Sequence, residues 1–451
     1  MNPIRISLFA QAVLFAPMIT AAAAETALAH ATIQKPAWLS ELSLGIKESY
    51  DDNVFLAGAD AKHLPPSYTV PAGSVAALQG RGSWLTTISP KVAVNFAPLL
   101  GDQKFFQALS LAYAPDVVTY HDQDSESYQA HRVVSAIKAK SEAFSFSAEN
   151  TFAFVNGSSM APYYPGALYN VYMNSVVRER RDQFQDKASV AFQYDWQKLF
   201  FRPTASLAYY DLRTELLNVS GYQNYADRYD VNGGADLGYR VCPQLALTVG
   251  YRYGHQYQQQ FDFTPLSSPS DYQRVLFGIE GKPWSWLDVK IQGGPDFRDY
   301  PGNSPTHTTP VNDLNPVKYY GEGLLVATIS RRDALTFRYK QWQWVSSTGK
   351  VPYFDSTFDL GYHRKLTDQL GFDCGGKILS SDYTSGNLAT CRRNDWEYVV
   401  STGLGCAFNP HLSVNLTYSL NLGRNAMDGI ANESTREFNQ NLVALGAVLK
   451  F

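Results

Sequence analysis

Leu442-Val443-Ala444-Leu445-Gly446-Ala447-Val448-Leu449-Lys450-Phe451 closes the chain. Read as an extended segment, it puts Val443, Leu445, Ala447, Leu449 and Phe451 on one face. Leu442, Ala444, Gly446, Val448 and Lys450 fall on the other, because successive side chains of a strand point to opposite sides. The first set makes an apolar stripe suited to lipid, and the second is small or polar.

The pattern recurs upstream. Leu42, Leu44 and Ile46 oppose Ser43, Gly45 and Lys47. Val92, Val94 and Phe96 oppose Lys91, Ala93 and Asn95. Leu245, Leu247, Val249 and Tyr251 oppose Thr248, Gly250 and Arg252. Leu412, Val414, Leu416 and Tyr418 oppose Ser413, Asn415, Thr417 and Ser419. About eighteen such segments of roughly ten residues lie between Glu41 and Phe451, longer than soluble strands and matched to a tilted bilayer crossing. A soluble sandwich or propeller also alternates, but with shorter strands and unordered connections.

The connections are ordered. Short links near Lys140, Trp196, Pro243, Trp284, Arg332, Thr367 and Pro410 alternate with long ones. The long links lie at about Asp51 to Gly82 and near Gln123, Pro162, Asn218, Pro265, His307, Thr348, Gly386 and Asp428. Short turns on one side and longer loops on the other are the topology of outer-membrane barrels, and termini sharing the short side require an even strand number. Tyr113, Tyr209, Tyr239, Tyr362, Phe372 and Phe408 fall near the ends of apolar faces, where interfacial girdles sit.

The chain has 451 residues, 45% hydrophobic and 18% charged, with a formal net charge of -3. That balance gives no argument for nucleic acid as a partner. No apolar run beyond the N-terminus suits a membrane helix, so a spanning chain must close as a barrel to satisfy its backbone in lipid. Arg5, the apolar run Ile6 to Ala24, and Ala22 and Ala24 before Glu25 read as a secretory signal over 1–24. The expected order is then a short periplasmic segment over 25–40 and an all-β, closed antiparallel transmembrane barrel over 41–451. Its location is the outer membrane of a Gram-negative cell, which it crosses many times. Of the four cysteines, Cys374 and Cys406 lie on the apolar faces of consecutive strands, as small hydrophobes or as a cross-strand pair.

Two stretches carry a family resemblance. Ser49-Tyr50-Asp51-Asp52-Asn53-Val54-Phe55 and Arg178-Glu179-Arg180-Arg181-Asp182-Gln183 resemble segments of the outer-membrane porins called beta-barrel porin type two. The resemblance covers nearly all of the mature chain and implies a barrel enclosing a pore. The terminal strand ending on Phe451 looks like the assembly signal of such barrels. It implies barrel assembly machinery, outer-membrane lipid and lipopolysaccharide as partners.

No spacing points to an enzyme, a metal or a cofactor. The eight histidines fall in no nucleophile–base–orienter order, although geometry rather than sequence defines such sites. About fifteen residues between Glu25 and the first strand leave no room for a transporter's plug. Eighteen strands enclose a water-filled lumen rather than a packed core. Alternation turns Lys91, Arg132, Lys138, Arg202, Arg252, Arg274, Glu280, Lys290, Arg298, Glu322, Arg338, Asp373, Lys377 and Glu397 toward it. Mixed signs predict cross-strand pairs and weak ion selectivity. The uncharged stretch Asn156 to Asn174 carries Tyr163, Tyr164, Tyr169 and Tyr172. As the third long loop it is the expected constriction, by analogy with general porins. These features lead to two expected functions. One is a passive channel for small hydrophilic solutes, saccharides among them. The other is the exit barrel of a polysaccharide-export system with periplasmic partners.

Overall fold

A computed structural model describes residues 36–54, 82–100, 105–156, 182–213, 227–259, 269–300, 317–345, 353–383, 393–427 and 438–451. The signal segment 1–24, most of 25–40 and the four tyrosines of the third long link lie outside these residues.

Nineteen strand segments form one sheet. The first eight are β1 (Leu39–Asp51), β2 (Ser83–Asn95), β3 (Phe106–Tyr113), β4 (Asp116–Tyr120), β5 (Tyr128–Lys140), β6 (Phe144–Asn156), β7 (Gln183–Trp196) and β8 (Leu199–Asp211). Next come β9 (Arg228–Cys242), β10 (Leu245–Gln258), β11 (Ser270–Trp284), β12 (Leu287–Asp299), β13 (Lys318–Thr328) and β14 (Asp333–Trp344). The last are β15 (Tyr353–Lys365), β16 (Leu370–Tyr383), β17 (Arg393–Asn409), β18 (Leu412–Met427) and β19 (Phe438–Lys450). The wall thus begins at Leu39, two residues before the expected Glu41.

β3 and β4 are one stave. Both lie between β2 and β5, and the register runs through the gap, with Val92↔Tyr113 and Ile88↔Val117. Pro115 interrupts the ladder there because it has no N–H to donate. Nineteen segments therefore make eighteen staves. The last pairs antiparallel with the first, from Ser43↔Lys450 to Asp51↔Leu442, so the sheet closes and no stave is an edge strand.

Register partners share a face, so one outward residue fixes the orientation of every stave. Ile46, Ile88, Val249, Phe277, Val400, Leu416 and Leu445 stand exposed on the outside. Tyr194, Trp196, Phe201, Tyr239, Trp284 and Phe408 mark one end of that belt. An apolar outside between aromatic rims is the surface of a multi-pass membrane barrel. Polar pairs interrupt it in places, His255 with Asp271 among them. Thr86 donates to Glu48 at 2.7 Å, and Asn150 donates to Asp186 at 2.5 Å.

The short links are tight. Trp196 pairs directly with Leu199, and Gln197 takes φ 54, the left-handed conformation that two-residue hairpins require. At the β10–β11 edge Gly281 has φ 132, and a Cβ there would lie 2.0 Å from the Gln244 carbonyl oxygen. Only glycine fits that bulge. The link at Gln123 is an exception among the long ones. It spans only 121–127 and folds as a single 3-10 turn, Asp124–Glu126. Cys374 and Cys406 both face outward but are free. Cys374 pairs with Thr402 and Cys406 with Leu370, so a four-residue offset rules out the cross-strand bond.

The Asp51-Asp52-Asn53-Val54 stretch locks the seam between first and last strands. Asn441 donates its backbone N–H and its Nδ2 to the Asp52 carboxylate, each at 2.6 Å. Gln440 Nε2 reaches both oxygens of Asp51 at 3.0 and 2.9 Å, and Asn53 Nδ2 donates to the Asn439 carbonyl at 2.8 Å. Val54 then turns inward onto Leu85, Val118, Tyr120, Tyr128 and Ala130, an apolar cluster at the long-link end of the interior.

Candidate functional site: the barrel interior

All fourteen lumen candidates lie on the face opposite the exposed apolar belt, by the register of their own staves. The structure sorts them into separate groups.

On β1–β6 the charges form isolated pairs. Lys91 donates to Glu41 at 2.5 Å and Arg132 to Asp116 at 2.8 Å, while Lys138 meets Glu149 at 2.8 Å. On β14–β17, Arg338 lies 3.6 Å from Asp359, which is register partner to Lys377. Asp373 is 2.8 Å from His363, and Glu397 is register partner to Leu379.

Between β8 and β14 the charges merge into a ladder. Arg202 donates to both oxygens of Glu280 at 2.9 Å and to Asp236 at 3.1 Å. Arg252 meets the same Asp236 at 2.7 Å. Arg274 donates to Asp296 at 2.8 Å and lies between the rings of Tyr272 and Tyr320, 4.0 and 4.3 Å from their centroids. Arg298 shares Asp296, and Gln292 and Tyr320 both donate to Glu322. Lys290 is register partner to Glu280, and Lys340 to Glu322. Each guanidinium has a carboxylate partner, with Asp236 and Asp296 each shared by two arginines, so the ladder carries dense charge of both signs. Charge-assisted bonds of this kind fix side chains along the wall.

One element leaves the wall. β13 and β14 stop pairing at Gly321↔Gln341, although β14 continues to Trp344 against β15. A bare strand edge must find hydrogen-bond partners elsewhere. Here side chains from distant staves supply them. Gln256 Nε2 and Arg298 Nη2 donate to the Gln343 carbonyl at 3.1 and 3.3 Å. Arg228 Nη1 donates to the Val345 carbonyl at 2.9 Å. Gln343 Nε2 donates to the Tyr300 hydroxyl at 2.5 Å. Trp344 and Tyr353 pack with Tyr210 of β8, the Tyr210 and Trp344 ring centroids 6.1 Å apart. The Arg228 guanidinium lies 5.2 Å from the Tyr210 centroid and 5.3 Å from that of Trp344.

Sequence reading missed Arg228, Gln256, Tyr210 and this inward edge. Gln341-Trp342-Gln343-Trp344 alternates like any wall strand, and nothing local marks its departure. Among the described residues no group of three His, Cys, Asp or Glu side chains is arranged to hold a metal.

No family model matches the chain, and no curated protein matches it. Solved barrels do overlay on it loosely. OccAB4 of Acinetobacter baumannii matches at 11% identity and TM-score 0.40, over 91% of this chain and 98% of that one. The siderophore receptor PirA of Acinetobacter baumannii matches at 8% identity and TM-score 0.40, over 92% and 81%. The ferric enterobactin receptor PfeA of Pseudomonas aeruginosa, as a point mutant, gives 8% and 0.39, over 92% and 81%. At that likeness the fold rests on the chain's own closed ladder.

Proposed function

We infer that the protein is an outer-membrane channel for passive diffusion of small hydrophilic solutes. The observation that carries this is the division of the wall. Its outside is apolar between aromatic rims, while its inside bears hydrogen-bonding and charged groups on nearly every stave. A polar interior of eighteen staves favours water over a packed core. Carboxylates matched to arginines leave no ring of one sign, which suits solutes carrying little net charge. Saccharides fit that description.

A polysaccharide-export exit would use the same barrel with periplasmic partners. The contacts that Gln343, Trp344 and Val345 make with side chains of β8, β9, β10 and β12 favour small solutes over a continuous polymer. Lipid and lipopolysaccharide are the partners expected at the apolar belt, and assembly machinery at Phe451. Liposome swelling tests the channel reading. Proteoliposomes should swell in iso-osmotic monosaccharide and disaccharide. Impermeability to every small sugar, with folded protein in the bilayer, would overturn it.

A further inference from the structure

We propose that the β14 edge at Trp342–Val345 is the constriction of this channel, held across the lumen by Arg228, Gln256 and Arg298. The proposal rests on the channel reading above and names the element that sets its exclusion size.

Distance carries the argument. Eighteen staves spaced about 4.8 Å apart and tilted about 40° close on a backbone radius of roughly 18 Å. β8 and β14 are six staves apart, so a circular wall would hold them roughly 30 Å from each other. Facing side chains meet when their backbones lie about 10 Å apart. Yet the Tyr210 and Trp344 rings meet, and Arg228 of β9 bonds Val345 at the end of β14. The edge has therefore left the circle and crosses the interior as a chord.

Backbone accounting agrees. The Gln343 and Val345 carbonyls lie where the β13 ladder would continue, and that ladder ends at Gly321↔Gln341. Arg298, Gln256 and Arg228 take its place. These side chains belong to β12, β10 and β9, so one edge is clamped from three staves. Behind the chord lie Asp230, Tyr272, Arg274 and Asp296, cross-bonded to one another and to the clamp. Solute is left the other side, bounded by β15–β19 and β1–β7. There the inward residues of β18 are Ser413, Asn415, Thr417 and Ser419, small and neutral.

A ribbon about 10 Å thick on such a chord, with side chains lining the wall, blocks roughly a third of the free cross-section. Releasing it should raise single-channel conductance about 1.5-fold. The test uses Arg228→Ala and Trp344→Ala in planar bilayers, with heat-modifiable migration as the check on folding. A second variant carries Tyr210→Cys and Trp344→Cys in a background without the native cysteines, measured before and after bridging with a short bis-maleimide. The expected results are raised conductance in both alanine variants and in the unbridged pair, with bridging lowering it again. Wild-type conductance in folded alanine variants, or no effect of bridging, overturns the proposal. A deletion of 161–170 that raises conductance while the strap variants do not would return the role to the tyrosine loop. A wild-type protein without conductance would instead defeat the channel reading itself.

Discussion

Replacing Asp52 by alanine should weaken barrel closure at one defined place. The Asp52 carboxylate accepts two bonds from Asn441, both 2.6 Å, and each joins the first strand to the last. Bonds to a charged group contribute about 1.5–3 kcal/mol when protected, and less where water competes. The site is half-buried, so about 2 kcal/mol in total is a reasonable expectation, roughly a 30-fold shift in the folded-to-unfolded ratio. Asp52→Asn keeps an acceptor without the charge and should lose about half as much. Urea unfolding in detergent micelles, followed by tryptophan emission and by semi-native migration, measures both. A loss below about 0.5 kcal/mol for Asp52→Ala would refute the seam-lock reasoning, being the size of an ordinary surface change.

Two further outcomes follow from the wall itself. Reversal potentials in a salt gradient should show weak preference between cation and anion, because the ladder pairs each arginine with a carboxylate; strong selectivity would show unpaired charge at the constriction. Deleting Phe451, whose backbone N–H donates to the Leu42 carbonyl at 2.9 Å, should lower the yield of heat-modifiable protein in the outer membrane more than it lowers unfolding stability; unchanged yield under native expression would remove its assembly role.

Alternation along each stave made the barrel legible from sequence, because one residue of register decides which face meets lipid. It also placed Arg202, Arg274 and Arg298 on the inner face without saying how they group. Their grouping depends on staves such as β8 and β11 that share no sequence neighbourhood, so Arg202 meets Glu280 only through the closed sheet. The motif around Asp51 was visible as a resemblance, while its partners Asn439, Gln440 and Asn441 lie at the far end of the chain. The inward edge was invisible for the same reason. Trp344 follows the alternation of a wall residue, and only the loss of the β13 ladder and the reach of Arg228 set it apart. Pro115 was equally silent, since one missing donor divides a stave into two segments without shifting its register.

The most direct test of an aqueous interior behind a lipid-facing wall is cysteine labelling along β18 in intact outer membranes. Single cysteines at positions 413 to 420 would be placed in a protein lacking Cys242, Cys374, Cys391 and Cys406, and exposed to a charged, membrane-impermeant thiol reagent. Ser413, Asn415, Thr417 and Ser419 face inward and should react as cysteines. Val414, Leu416, Tyr418 and Leu420 face outward and should stay protected. Alternating reactivity with a period of two is the predicted result; uniform reactivity, uniform protection or the opposite phase would contradict the account.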